Sequence, residues 1–111
     1  MSNRTINVSK KDFLAVHNSF LNDNSLMFDE IGLLAFMLSC PSDFDFSAEV
    51  IAESRKIETS EVNSILSSLN KKGYFRQIKL VDRYGKFVDW VYEVSDEAHP
   101  EWIGASLVEL A

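Results

Sequence analysis

The sequence predicts an α+β domain in which three helices precede a two-stranded hairpin. Three observations carry this reading: two stretches of helical apolar spacing, a glycine with helix-ending chemistry at position 73, and a change of hydrophobic period from 3.6 to 2 after it.

The elements follow in order. Residues 1–10 are polar and without period, and read as a flexible arm. Phe13-Leu14-Ala15-Val16 is a short apolar run that can add a third, N-terminal strand beside the hairpin. The first helix is expected over Phe28–Ser39. Asp29 and Glu30 suit the positive end of its dipole, and Ile31, Leu34, Ala35 and Leu38 form one buried face. Cys40-Pro41-Ser42 ends it, because a residue before proline is pushed out of helical geometry.

Ser47 can cap a second helix that fades near Ser54-Arg55, with Val50 and Ile51 pointing inward. A third starts at a cap on Thr59 or Ser60 and buries Val62, Ile65, Leu66 and Leu69. Lys71 and Lys72 sit in its last turn and Gly73 just beyond, where left-handed backbone closes a helix. Tyr74–Val81 and Phe87–Val94 are rich in aromatic and β-branched residues. The loop Asp82–Lys86 between them contains Gly85, so the two are expected to pair as a hairpin.

Composition bounds the function classes. A length of 111 residues fits one domain: the arm, a domain over 11–95, and an acidic and apolar tail over 96–111 that either packs back on the domain or meets a second copy. No apolar run is long enough for a membrane span, and the start has no signal-peptide h-region. Cys40 is the one cysteine, which fits a reducing compartment and a buried structural role. The expected location is the cytoplasm. No glycine-rich phosphate loop, nucleophile elbow or metal-ligand string occurs, and His17 and His99 are far apart in sequence. The Asp43/Asp45 pair and Ser95-Asp96-Glu97 lack a companion base or nucleophile and read as caps and solvated charge. No enzyme activity, metal, cofactor, membrane or small-molecule substrate is expected.

The net charge is −6, but it is unevenly spread. From Arg55 to Lys86 eight basic residues face three acids, a net of +5, whereas residues 1–54 carry −5 and residues 87–111 carry −6. Such asymmetry speaks to partners. Arg55, Lys56, Lys71, Lys72, Arg76, Lys79, Arg83 and Lys86 are therefore candidate phosphate contacts.

Two helices joined by a tight turn and followed by a hairpin make a winged helix-turn-helix. Several blocks add to this: Gly32-Leu33-Leu34-Ala35-Phe36-Met37-Leu38-Ser39-Cys40-Pro41, then Asp45-Phe46-Ser47, then Leu69-Asn70-Lys71-Lys72-Gly73-Tyr74-Phe75, then Asp82-Arg83-Tyr84-Gly85-Lys86-Phe87. Their succession resembles helix-turn-helix domains of phage and plasmid origin, the N-terminal domains of replication initiators, replisome organisers and DnaD-like primosome proteins. The resemblance spans residues 13–94 and implies binding to double-stranded DNA, often with self-association, in replication initiation or transcriptional regulation.

In such a fold the second helix of the motif presents its N-terminal half to base edges. The base-facing candidates are Ser60, Glu61, Asn63, Ser64 and Ser67. Asn63 suits adenine and Glu61 cytosine, but no arginine or lysine stands there for guanine. That acid, the low isoelectric point and the apolar tail support an alternative, a protein-interaction or oligomerisation module on the same scaffold. Its candidate self-association residues are Trp102, Ile103, Leu107, Val108 and Leu110, with a second copy or a replisome or regulatory protein as partner.

Overall fold

The computed structural model describes residues 14–41, 43–104 and 107–111. The arm over residues 1–10 and Phe13 lie outside them. Among the described residues four helices and a three-stranded mixed sheet are present: α1 (Asn18–Leu21), α2 (Phe28–Ser39), α3 (Ala48–Arg55), α4 (Thr59–Lys71), β1 (Phe75–Val81), β2 (Phe87–Val94) and β3 (Leu107–Leu110). A turn of 3-10 helix, Pro100–Trp102, stands between β2 and β3.

The three expected helices form over the expected ranges, and α1 is an addition. Its first turn is fastened by the His17 imidazole, whose Nδ1 accepts from the Ser19 N–H at 3.0 Å, and Phe20 is fully buried beneath it. Glu30, in the first turn of α2, turns its carboxylate back to accept from the Met27 N–H at 2.8 Å. Ser47 caps α3 by accepting from Val50. The cap expected from Thr59 or Ser60 is not made: Glu58 holds the cap position of α4 in extended geometry, without a side-chain bond.

The end of α4 closes as the sequence predicts. Gly73 is left-handed at φ +86°; its N–H donates to Asn70 and that of Tyr74 to Leu69, the paired bonds of a Schellman motif. Cys40 ends α2, its thiol donating to the Phe36 carbonyl at 3.3 Å, and burial pushes its pKa up.

The core gathers Phe20, Leu34, Met37, Ile51, Val62, Leu69, Tyr74 and Phe75, where α2, α3 and α4 meet one end of the sheet. Tyr74 donates to the Asp23 carboxylate at 2.7 Å. The Ser25 hydroxyl foremost, then that bond and the Ser25 N–H, hold the Asp23 carboxyl below its usual range, while burial raises the Tyr74 phenol.

The strand order is β2-β1-β3, with β2 antiparallel and β3 parallel to β1. This corrects the expected source of the third strand. Leu14, Ala15 and Val16 form no strand; the C-terminal Leu107–Leu110 takes the free edge of β1 instead. Register places Phe75, Gln77 and Lys79 on one face with Val94, Tyr92 and Trp90, and Phe75, Tyr92 and Val94 pack on the helical core.

The opposite face is covered by the tail. Trp102 is only 7% exposed, stacked on His99 at 4.4 Å with the Arg76 guanidinium 4.9 Å from its ring. The tail therefore folds back on its own sheet, which puts Trp102, one of the candidate self-association residues, in the interior. Ile103, Val108 and Leu110 remain exposed.

Candidate nucleic-acid interface

α4 buries Val62, Leu66 and Leu69 and half-buries Ile65, a stripe that fixes which side faces out. Ser60, Glu61, Asn63, Ser64, Ser67 and Lys71 are all exposed. The Ser64 hydroxyl donates to the Ser60 carbonyl at 3.1 Å, so it meets an incoming group as an acceptor. Asn63, Ser64, Ser67, Ser68 and Lys71 line a shallow depression of about 410 Å³ along this face. The turn that orients α4 on α3 passes through Lys56, a left-handed residue at φ 56° that is not glycine.

The hairpin loop is built by Asp82. Its carboxylate accepts from the N–H groups of Tyr84 and Lys86 at 2.8 and 2.9 Å, and Gly85 takes the left-handed position at φ +80°. The loop holds Arg83 over the exposed Tyr84 ring at 5.2 Å, with Lys86 exposed beside them.

The eight basic residues do not form one equivalent set. Lys72 is tied into the fold: its ammonium lies 2.9 and 3.0 Å from the two Glu30 oxygens. Ser68 also donates to that carboxylate, which is only 3% exposed. Burial alone would raise the Glu30 carboxyl, but the bonds from Ser68, Met27 and Lys72 outweigh it and hold the pKa low. Arg76 is likewise committed, to Glu93 at 3.0 Å and to Trp102. Both were expected as phosphate contacts, and both instead join distant segments of the chain. Arg55 lies on the Phe36 ring at 4.4 Å. Lys56, Lys71, Arg83 and Lys86 are exposed.

A second concavity, not expected from the sequence, lies between α4, the start of α3 and the inner face of the sheet. It measures about 710 Å³, and Glu49, Asn63, Gln77, Lys79, Trp90 and Tyr92 are among its walls. Burial raises the Tyr92 phenol, and the carboxylates of Asp45, Glu49 and Asp89 raise it further, so it stays protonated as a donor. Asn70 also reaches this wall, but its amide is spent on the carbonyls of Phe75 and Trp102. The period of 2 that sets Trp90 and Tyr92 on one face of β2 is visible in the sequence; that Lys79 stands across from Trp90 and that the helices stop short of covering them is not.

Comparison of the chain with protein-family models, curated proteins and solved structures yields no match. The residues themselves offer a polar helix face, a cationic loop tip and an aromatic groove between them. Among the described residues no group of three or more His, Cys, Asp or Glu gathers to hold a metal ion, and no helix is long and apolar enough to cross a membrane.

Proposed function

We propose that the chain is a winged helix-turn-helix protein that binds double-stranded DNA, with α4 in the major groove and the β1–β2 loop on the sugar-phosphate backbone. The observation that carries this reading is the exposed polar face of α4, with exposed cations at its two ends, Lys56 and Lys71, and on the β1–β2 loop, Arg83 and Lys86, none of them paired with a carboxylate among the described residues. Asn63, Ser67 and Glu61 are the base-reading side chains; the four cations position the duplex without reading it. The resemblance to phage and plasmid initiators and replisome organisers supports a role in replication initiation or transcriptional regulation in a bacterial cytoplasm.

Four phosphate contacts give a salt dependence of about −3.6 in log K against log salt, from roughly −0.9 per phosphate. Fluorescence anisotropy on duplex fragments across salt measures it. The double variant Arg83→Glu/Lys86→Glu is expected to flatten the slope by about 2 and to weaken binding more than tenfold. An absence of binding to phage and plasmid duplexes at low salt would sink the reading. Lys72 is left out of such reversals, since a carboxylate there would stand against Glu30.

One observation favours a second reading, a protein-interaction scaffold. Phe28 is 93% exposed at the start of α2, next to exposed Met27, an arrangement common at protein interfaces. The same charge reversal separates the two, because it weakens duplex binding more than tenfold and leaves a partner held through Phe28 in place.

A further inference from the structure

We propose that the groove between α4 and the inner face of the sheet holds one unpaired nucleotide of a single strand, with its base on Trp90 and its phosphate at Lys79. The indole of Trp90 is 42% exposed although it lies on the core-facing side of β2, and the Phe87 ring braces it at 5.4 Å. Lys79 is its register partner on β1, so an ammonium stands directly across the strands from an open aromatic face. An exposed ring beside a cation is the pairing that captures unstacked bases, with little demand on sequence.

The remaining walls supply polar recognition. Neither Asn63, Gln77 nor Lys79 makes a side-chain hydrogen bond among the described residues, and Tyr92 keeps its phenolic proton. Glu49, at the start of α3, accepts hydrogen bonds only, which suits the exocyclic amine of cytosine and not the carbonyls of thymine. A volume near 710 Å³ is ample for one nucleotide. Asn63 and Ser67 also line the depression that leads to Lys71, so a strand leaving the groove has a polar track with a cation at its end.

An extended peptide fits less well. Strand addition needs free backbone groups, and β1, which floors the groove, is paired on both sides by β2 and β3.

The site does not depend on the duplex reading, and its test keeps the two apart. Anisotropy of labelled dC8, dT8 and duplex is measured at pH 7.5 across salt, with dCMP as competitor and the indole emission followed in the unmodified protein. The expected results are quenching by dC8, about fivefold tighter binding of dC8 than dT8, and a preference that Glu49→Gln abolishes.

Trp90→Leu should weaken dC8 about tenfold or more, with Trp90→Tyr recovering most of it. Lys79→Gln should flatten the dC8 salt slope by about 0.7, while Arg83→Glu/Lys86→Glu should spare dC8 and weaken duplex binding more than tenfold. Circular dichroism checks that the variants fold, and the quenching and Lys79→Gln arms stand if Trp90→Leu does not. The site is refuted by absent quenching, by Trp90→Leu that folds and binds dC8 unchanged, or by Lys79→Gln with an unchanged slope. A dCMP affinity equal to that of dC8 would overturn the assignment to a strand.

Discussion

Lys72→Met is expected to destabilise the fold by about 3 kcal/mol, the lower end of the range for breaking a buried ion pair. Lys72 itself keeps a quarter of its side chain in solvent, whereas the Glu30 side chain keeps 4%. The loss is therefore the strain of leaving Glu30 charged in the interior with only Ser68 and the Met27 N–H for company. Urea unfolding at pH 7 measures it, and a loss under 0.5 kcal/mol would contradict this account.

The pH dependence provides a second signature. In the native protein the Glu30 carboxyl lies below its ordinary value of 4.5, so its contribution is complete above that pH. It is lost as the pH falls through the lowered native value, because protonation then favours the unfolded chain. In Lys72→Met burial is no longer offset by the ammonium, and the carboxyl moves up. The gap between the two proteins should therefore narrow as the pH drops from 7 toward 4.

Gly73→Ala is expected to cost about 3 kcal/mol by two separable routes. A left-handed residue with a Cβ costs about 1 kcal/mol. The larger share is collision: the new Cβ would stand 2.6 Å from the His99 carbonyl oxygen and 2.9 Å from its nitrogen, both backbone atoms. Making room means moving the segment whose N–H groups at His99 and Ser95 donate to Gly73 and Tyr74. Trp102 follows that segment, so its emission should shift to the red in the variant. Gly85→Ala is the control, with the same backbone handedness at φ +80° and nothing within 4 Å of the added carbon. If the two variants unfold at the same urea midpoint, the collision plays no part.

The parts of the fold legible in the sequence are those whose signals are local. The stripe of α4, its lysines and Gly73 sit within fifteen residues, and Asp82 and Gly85 specify the hairpin loop within five. What was not legible depends on partners far along the chain. Phe20 is fully buried but stands in a polar stretch with no period to mark it. The run at Phe13–Val16 has strand composition, yet β1 takes Leu107–Leu110, because the tail is already anchored on the sheet through Trp102. The basic residues were identifiable as charges, but which carboxylate each would face was not. Lys72 meets Glu30 across 42 positions and Arg76 meets Glu93 across the hairpin. The open side of Trp90 depends on how far α3 and α4 extend over the sheet, which no single strand encodes.

The placement of β1 between β2 and β3 has a kinetic consequence. Neither neighbour contains a lysine or arginine, and both are acidic, so the basic and acidic stretches that are separate along the chain are interleaved in the sheet. Arg76 is neutralised by Glu93, and Asp89 and Glu109 flank Leu80 next to Lys79. A protein of net charge −6 arranged in this way projects no broad positive field to draw a polyanion in from a distance. If it binds duplex as proposed, its encounter with DNA should run near the unsteered rate of about 10⁵–10⁶ per molar per second. Added salt should then act chiefly by hastening departure, as stopped-flow mixing across ionic strength would register.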